Sequence, residues 1–197
     1  MRTLLAKALL KSLGWRAVGT APNAKKYVLI AAPHTTNWDF PFTMAVARIL
    51  GVKIRFLGKQ SLFRFPFKTF FTAFGGISVD RSKANGTVEA LVNLFTQHEE
   101  LVVVIPVEGS RAKGKRWKSG FYHVARGANV PVALGWLDYE KKEGSIGQLL
   151  HLTGDMKKDM DFVRAFYSGI SGKYPEQFTP PKLVEEEQDA PVKAAHS

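Results

Sequence analysis

Three short stretches of this 197-residue chain carry the residue types that do chemistry. The first is Pro33-His34-Thr35-Thr36-Asn37-Trp38-Asp39. On a continuous helix, residues five apart lie about 140° apart around the axis. His34 and Asp39 therefore pair only if the His sits in a loop and the Asp in the first turn of the helix that follows. In that arrangement the carboxylate accepts from one imidazole nitrogen, fixes the tautomer and raises the basicity of the other nitrogen. His34 is then a candidate general base and Asp39 its orienting partner. The second stretch runs from Gly75-Gly76 to Arg81, and the third is Val107-Glu108-Gly109-Ser110-Arg111. Each puts an Arg, Arg81 or Arg111, where its planar two-pronged guanidinium can hold a phosphate.

These stretches need a frame that brings them together, and the remaining pattern supplies one. Tyr27 to Ala32 reads as a buried strand, Trp38 to Leu50 as a helix with Asn37 as a cap and Gly51 as a stop, and Val52 to Leu57 as a second strand. Residues 60–73 read as a Phe-rich helix around Pro66. Gly76 to Val79 is a short strand, 84–98 a helix, and Leu101 to Ile105 an all-apolar strand that must be covered on both faces. Ser119 to Gly127 and 156–168 read as helices, Val130 to Leu134 and Ile146 to Thr153 as strands. Such alternation predicts one α/β domain with a central, largely parallel sheet flanked by helices and a site at the carboxyl ends of the strands. All three stretches follow strands.

With these motifs in this order, the sequence resembles the glycerolipid acyltransferases typified by 1-acylglycerol-3-phosphate acyltransferase. The family's His, four residues, Asp motif is matched by His34 and Asp39. Its Gly-rich approach to a short strand ending in Arg is matched by Gly75, Gly76 and Arg81. Its Pro-Glu-Gly-Thr-Arg motif is matched by Glu108, Gly109, Ser110 and Arg111, with Val107 in place of the Pro. Its apolar Pro-containing strand is matched by Val130-Pro131-Val132. The resemblance spans about residues 25–140. It implies transfer of a fatty acyl group from acyl-CoA or acyl-carrier protein to a hydroxyl of a lysophospholipid-type acceptor. His34 would be the base, and Arg81, Glu108, Gly109, Ser110 and Arg111 would bind substrate. No metal or cofactor is implied. The absence of Cys and of a Gly-x-Ser-x-Gly elbow agrees with direct attack and no covalent intermediate.

Charge narrows the partners. The chain carries +11, with 28 Lys and Arg against 17 Asp and Glu, which calls for something anionic. Residues 1–18 read as an amphipathic helix with Lys7 and Lys11 on a narrow stripe, either packed on the domain or lying on an anionic bilayer. Residues 53–83 hold seven basic residues, one acid and seven of the fourteen Phe; the rings are either core or a surface for acyl chains and head groups. Residues 19–175 form the domain, and 176–197, at −3, read as an acidic, flexible tail. The expected place is cytoplasmic and peripheral to the membrane. A non-enzymatic nucleic-acid-binding module is the rival reading, though no such motif occurs. The Gly109 to Lys115 spacing imitates a phosphate-binding P-loop, but Arg116 stands where a Ser or Thr is needed.

Overall fold

The computed structural model describes residues 2–59, 63–79, 84–109 and 113–187. The apolar runs form strands β1 (Arg16–Ala17), β2 (Lys26–Ala31), β3 (Ile54–Lys59), β4 (Gly76–Val79), β5 (Leu101–Pro106), β6 (Val132–Asp138) and β7 (Glu143–Leu150). They join into a single sheet of order β1-β7-β6-β2-β5-β3-β4. Strands β2 to β6 run parallel to their neighbours, and β7 returns from β6 antiparallel, with β1 on its outer edge. This is the expected α/β architecture. The central strands β2 and β5 are apolar along most of their length because both sheet faces are covered.

The helices among the described residues are α1 (Arg2–Ser12), α2 (Asp39–Ile49), α3 (Lys68–Ala73), α4 (Ala84–Gln97), α5 (Gly120–Ala128) and α6 (Met156–Tyr167). The crossovers from β2 to β3 and from β3 to β4 step one way across the sheet, and those from β4 to β5 and from β5 to β6 step back. Crossovers between parallel strands are right-handed, so α2 and α3 cover one face and α4 and α5 the other. The packing agrees. Leu91, Phe95, Phe121 and Met160 close on Val28 and Ile30, whereas Ala47 and Phe71 close on Tyr27, Leu29 and Phe56. Helix α1 lies against α2 through Leu10, Trp15, Phe42 and Val46, and so belongs to the α2 side.

Several boundaries differ from the pattern-based expectation, each for a local reason. Helix α2 has Trp38, not Asn37, at its N-cap position, with no side-chain capping bond. At its other end Gly51 adopts φ 80°, and its amide donates to Arg48 O while that of Val52 donates to Ala47 O at 2.8 Å. That helix-ending pair occupies Val52 and delays β3 to Ile54. The helix expected over 60–73 is reduced to α3, because Pro66 donates no amide and disfavours a helical Phe65; residues 60–62 lie outside the described residues. The Val130 amide still bonds Ala125 O, so β6 starts at Val132 and runs to Asp138.

The largest correction concerns the tail. Residues 176–187 are packed on the domain, with Thr179 and Leu183 fully buried. Composition misled here because the acids have partners. Arg164 donates to Glu186 Oε2 at 2.8 Å and Ser119 to Glu185 Oε1 at 2.6 Å. The Trp117 indole N–H donates to Thr179 O at 2.7 Å. Residues 188–197 lie outside the described residues. Among those described, no helix is long and apolar enough to cross a membrane.

Candidate active site

Strands β2 and β5 end side by side, with Ala31 of β2 level with Pro106 of β5, and the adjacent β6, level with Ala31 at Gly135, runs three residues farther to Asp138. The chain leaving them carries His34, Glu108 and Tyr139. His34 sits in the loop after β2, and Asp39 is the first residue of α2, the placement their spacing requires. His34 Nδ1 lies 3.1 Å from Asp39 Oδ2. The same oxygen accepts from the backbone N–H groups of Thr35 and Thr36, each at 2.9 Å. The other oxygen, Oδ1, accepts from the Tyr139 hydroxyl at 2.7 Å.

A buried carboxylate needs its lone pairs met, and Asp39, 3% exposed, has four donors around it. In the tautomer whose Nδ1–H donates to Asp39, the lone pair of the imidazole lies on Nε2. Burial pushes the Tyr139 hydroxyl well above its ordinary value of 10, and the bond to Asp39 pushes it the same way. Tyr139 thus remains protonated and a donor across the physiological range.

Glu108 is adjacent but turned inward. Its Oε1 accepts from the backbone N–H of His34 at 2.6 Å and its Oε2 from that of Thr179 at 2.9 Å. At 4% exposed it ties the His34 loop to the C-terminal segment, a positioning place where the sequence suggested a substrate ligand. Burial pushes its carboxyl above the usual 4.5, against the two amide bonds and the neighbouring His34, which pull it down. Gly109 follows on an exposed turn at φ 75°, a left-handed conformation that favours glycine. Arg81, Ser110 and Arg111 lie outside the described residues. Tyr139 and Thr179 were not singled out from the sequence.

Between the sheet and α2, a cavity of about 370 Å³ has His34 and Asp39 in its wall. Leu29, Phe56 and Ile146 of the sheet, Met44 of α2 and Phe71 of α3 make the rest of it largely apolar. A base beside a slot of this size can deprotonate a polar group while a hydrocarbon chain is held next to it. Among the described residues, no group of three or more His, Asp or Glu is placed to hold a metal ion.

A family model described as Acyltransferase matches residues 17–133, a span that holds His34, Asp39 and Glu108. The chain belongs to the acyltransferase family. Among solved structures this acyltransferase is similar to the crystal structure of the 1-acyl-sn-glycerophosphate (LPA) acyltransferase, PlsC, from Thermotoga maritima. The TM-score is 0.54 at 15% identity, over 82% of this chain and 74% of that one, a likeness of fold. A search of the curated proteins finds no matching sequence. In this acyltransferase the family match ends just inside β6, so Tyr139 and the Thr179 contact come from outside the matched span.

Proposed function

We propose that this acyltransferase moves a fatty acyl group from the thioester of acyl-CoA or acyl-carrier protein to a hydroxyl of a (lyso)phospholipid-type acceptor. The observation that carries the reading is the Asp39-oriented His34 at the wall of an apolar cavity. His34 Nε2 takes the proton of the acceptor hydroxyl as its oxygen attacks the thioester carbonyl carbon. The tetrahedral intermediate collapses, the carbon–sulfur bond breaks, and the departing thiolate takes the proton back from His34. An ester and a free thiol result, with no cofactor or metal taking part. The acyl chain lies in the cavity. Arg81, Ser110 and Arg111, which follow β4 and β5 in the sequence, hold the phosphate and hydroxyls of the acceptor. The protein works peripherally at the cytoplasmic face of an anionic membrane. Helix α1 supports that placement, since Leu4, Leu5 and Leu9 of the helix and Leu13 just after it are exposed beside Lys7 and Lys11, the make-up of an interfacial helix.

The test is thiol release from both donors with a panel of lysophospholipid, glycerol phosphate and non-phosphorylated acceptors. His34→Ala is expected to lower turnover by about 10²- to 10⁴-fold with the circular dichroism spectrum unchanged. A folded variant that keeps most of its turnover would overturn the assignment of the base.

A further inference from the structure

Most soluble domains scatter their exposed apolar side chains, but this one does not. Among the described residues, thirteen large hydrophobic side chains are exposed, and ten of them lie on or just after α1, at the N-cap or first turn of α2, or in the segment 63–74. Those are the elements on the α2 side of the sheet. The charge divides the same way. Residues 1–79 hold twelve of the 28 Lys and Arg and only one acid, Asp39, so this part alone carries the whole +11, while residues 80–197 hold sixteen of each sign.

The segment 63–74 is the sharpest part of this face. Phe65 is 96% exposed, and Phe67, Phe70 and Phe74 are each at least half exposed, with Arg64 and Lys68 exposed between them. These rings are not stray. Phe74 packs on Phe70 at 4.6 Å between centroids, Phe70 on Phe71 at 5.5 Å, and Phe71 on Phe56 at 6.5 Å, and the last two line the cavity.

We propose that the segment Phe63 to Phe74 is a wedge that enters an anionic lipid bilayer, with Phe65 and Phe67 at its tip and Arg64 and Lys68 on head-group phosphates. The inference rests on the membrane reading above and adds a second anchor to α1, one in which Phe74, Phe70 and Phe71 lead ring to ring to Phe56 in the cavity wall. A lipid chain leaving the bilayer would then pass from ring to ring toward His34 without crossing water. Charge complementarity selects the occupant, since the part of the chain that forms this face has one acid, the buried Asp39, and exposed cations such as Lys7, Lys11, Arg64 and Lys68 to attract a phosphate-bearing surface. The bare phenyl rings, together with the leucines of α1, favour hydrocarbon over an acidic protein, whose surface would pair the cations and leave the rings wet.

The chain has no Cys, so Phe65→Cys can be labelled alone with a polarity-sensitive dye, with Lys157→Cys on α6 as a control from the other face. With vesicles of phosphatidylcholine and phosphatidylglycerol, the dye at 65 is expected to shift to the blue and be quenched by nitroxide-labelled acyl chains, and the dye at 157 to do neither. The double variant Phe65→Ser with Phe67→Ser is expected to bind these vesicles at least about tenfold more weakly, with Leu at both positions restoring most of the affinity. Its thiol release toward a short-chain, fully soluble acceptor should be unchanged, as neither ring lines the cavity. Wild-type protein that co-sediments with vesicles while the dye at 65 stays in water would overturn the wedge and leave the membrane reading standing. Wild-type protein that does not co-sediment would overturn both. A dye shift caused by an acidic carrier protein or by self-association, and not by vesicles, would assign the face to that partner instead.

Discussion

Asp39 is a carboxylate whose two oxygens have different duties. Oδ2 gathers the loop, taking His34 Nδ1 and the amides of Thr35 and Thr36, while Oδ1 is left to Tyr139. A carboxylate held on one side only can rock about its Cβ–Cγ bond, and the imidazole would rock with it. Tyr139 also rests edge-on against Trp15, 4.7 Å between centroids, which fixes the ring that carries the hydroxyl. Tyr139 is accordingly a positioning residue. Tyr139→Phe keeps that packing and removes one hydrogen bond to a charged group, an interaction of about 1.5–3 kcal/mol. Turnover is expected to fall about ten- to hundredfold with KM for the acyl donor little changed. A variant with wild-type turnover would leave Tyr139 a packing residue only.

At the scale of elements, what is local in the chain was readable and what is distant was not. The His34–Asp39 pair spans five residues across one strand-to-helix turn, so spacing alone foretold its geometry. Tyr139 meets Asp39 across one hundred residues, and the pattern ended β6 at Leu134, four residues short of the strand edge where Tyr139 emerges. The segment 176–187 reads as solvated because its acids are counted and its partners, Arg164 and Ser119, are far away in sequence. Glu108 depends on that segment through the Thr179 amide, which gives it a pH signature. Glu108→Gln turns an NH₂ group against one of the two amide donors, and leaving that N–H unmet costs about 1–3 kcal/mol. The wild-type carboxyl is raised in the fold from its ordinary 4.5. An acid so raised contributes stability that is fully present below the unfolded value and lost as pH rises through the folded value. The stability advantage of wild type over Glu108→Gln is therefore expected to be largest below pH 4.5 and to shrink as the pH rises above it. Denaturant titrations of both proteins across that range measure it. An advantage that grows with pH would mean that the amide bonds outweigh burial.

For the whole molecule, the sheet divides two kinds of surface. The side holding α4, α5 and α6 belongs to the part of the chain with balanced charge, while the side holding α1, α2 and α3 belongs to the part that carries the surplus. A net charge spread evenly would draw the protein to an anionic surface in any orientation; on the proposed membrane, this division would turn one side toward it. The site would gain from that orientation, because the cavity lies between the sheet and α2, on the charged side. Orientation makes a prediction that net charge alone does not. Reversing Lys7 and Lys11, or Arg64 and Lys68, to Glu changes the net charge by the same amount as reversing Lys157 and Lys158 on α6, and all six are exposed. A cation held near an anionic bilayer contributes about 1 kcal/mol, and the effect dies within about 8 Å at physiological salt. Vesicle affinity is thus expected to fall about thirtyfold or more for either of the first two pairs and less than about threefold for the α6 pair, with the gap widening at low salt. Equal losses for all three pairs would mean that the surplus acts as a sum, and that the protein meets the membrane with no fixed side.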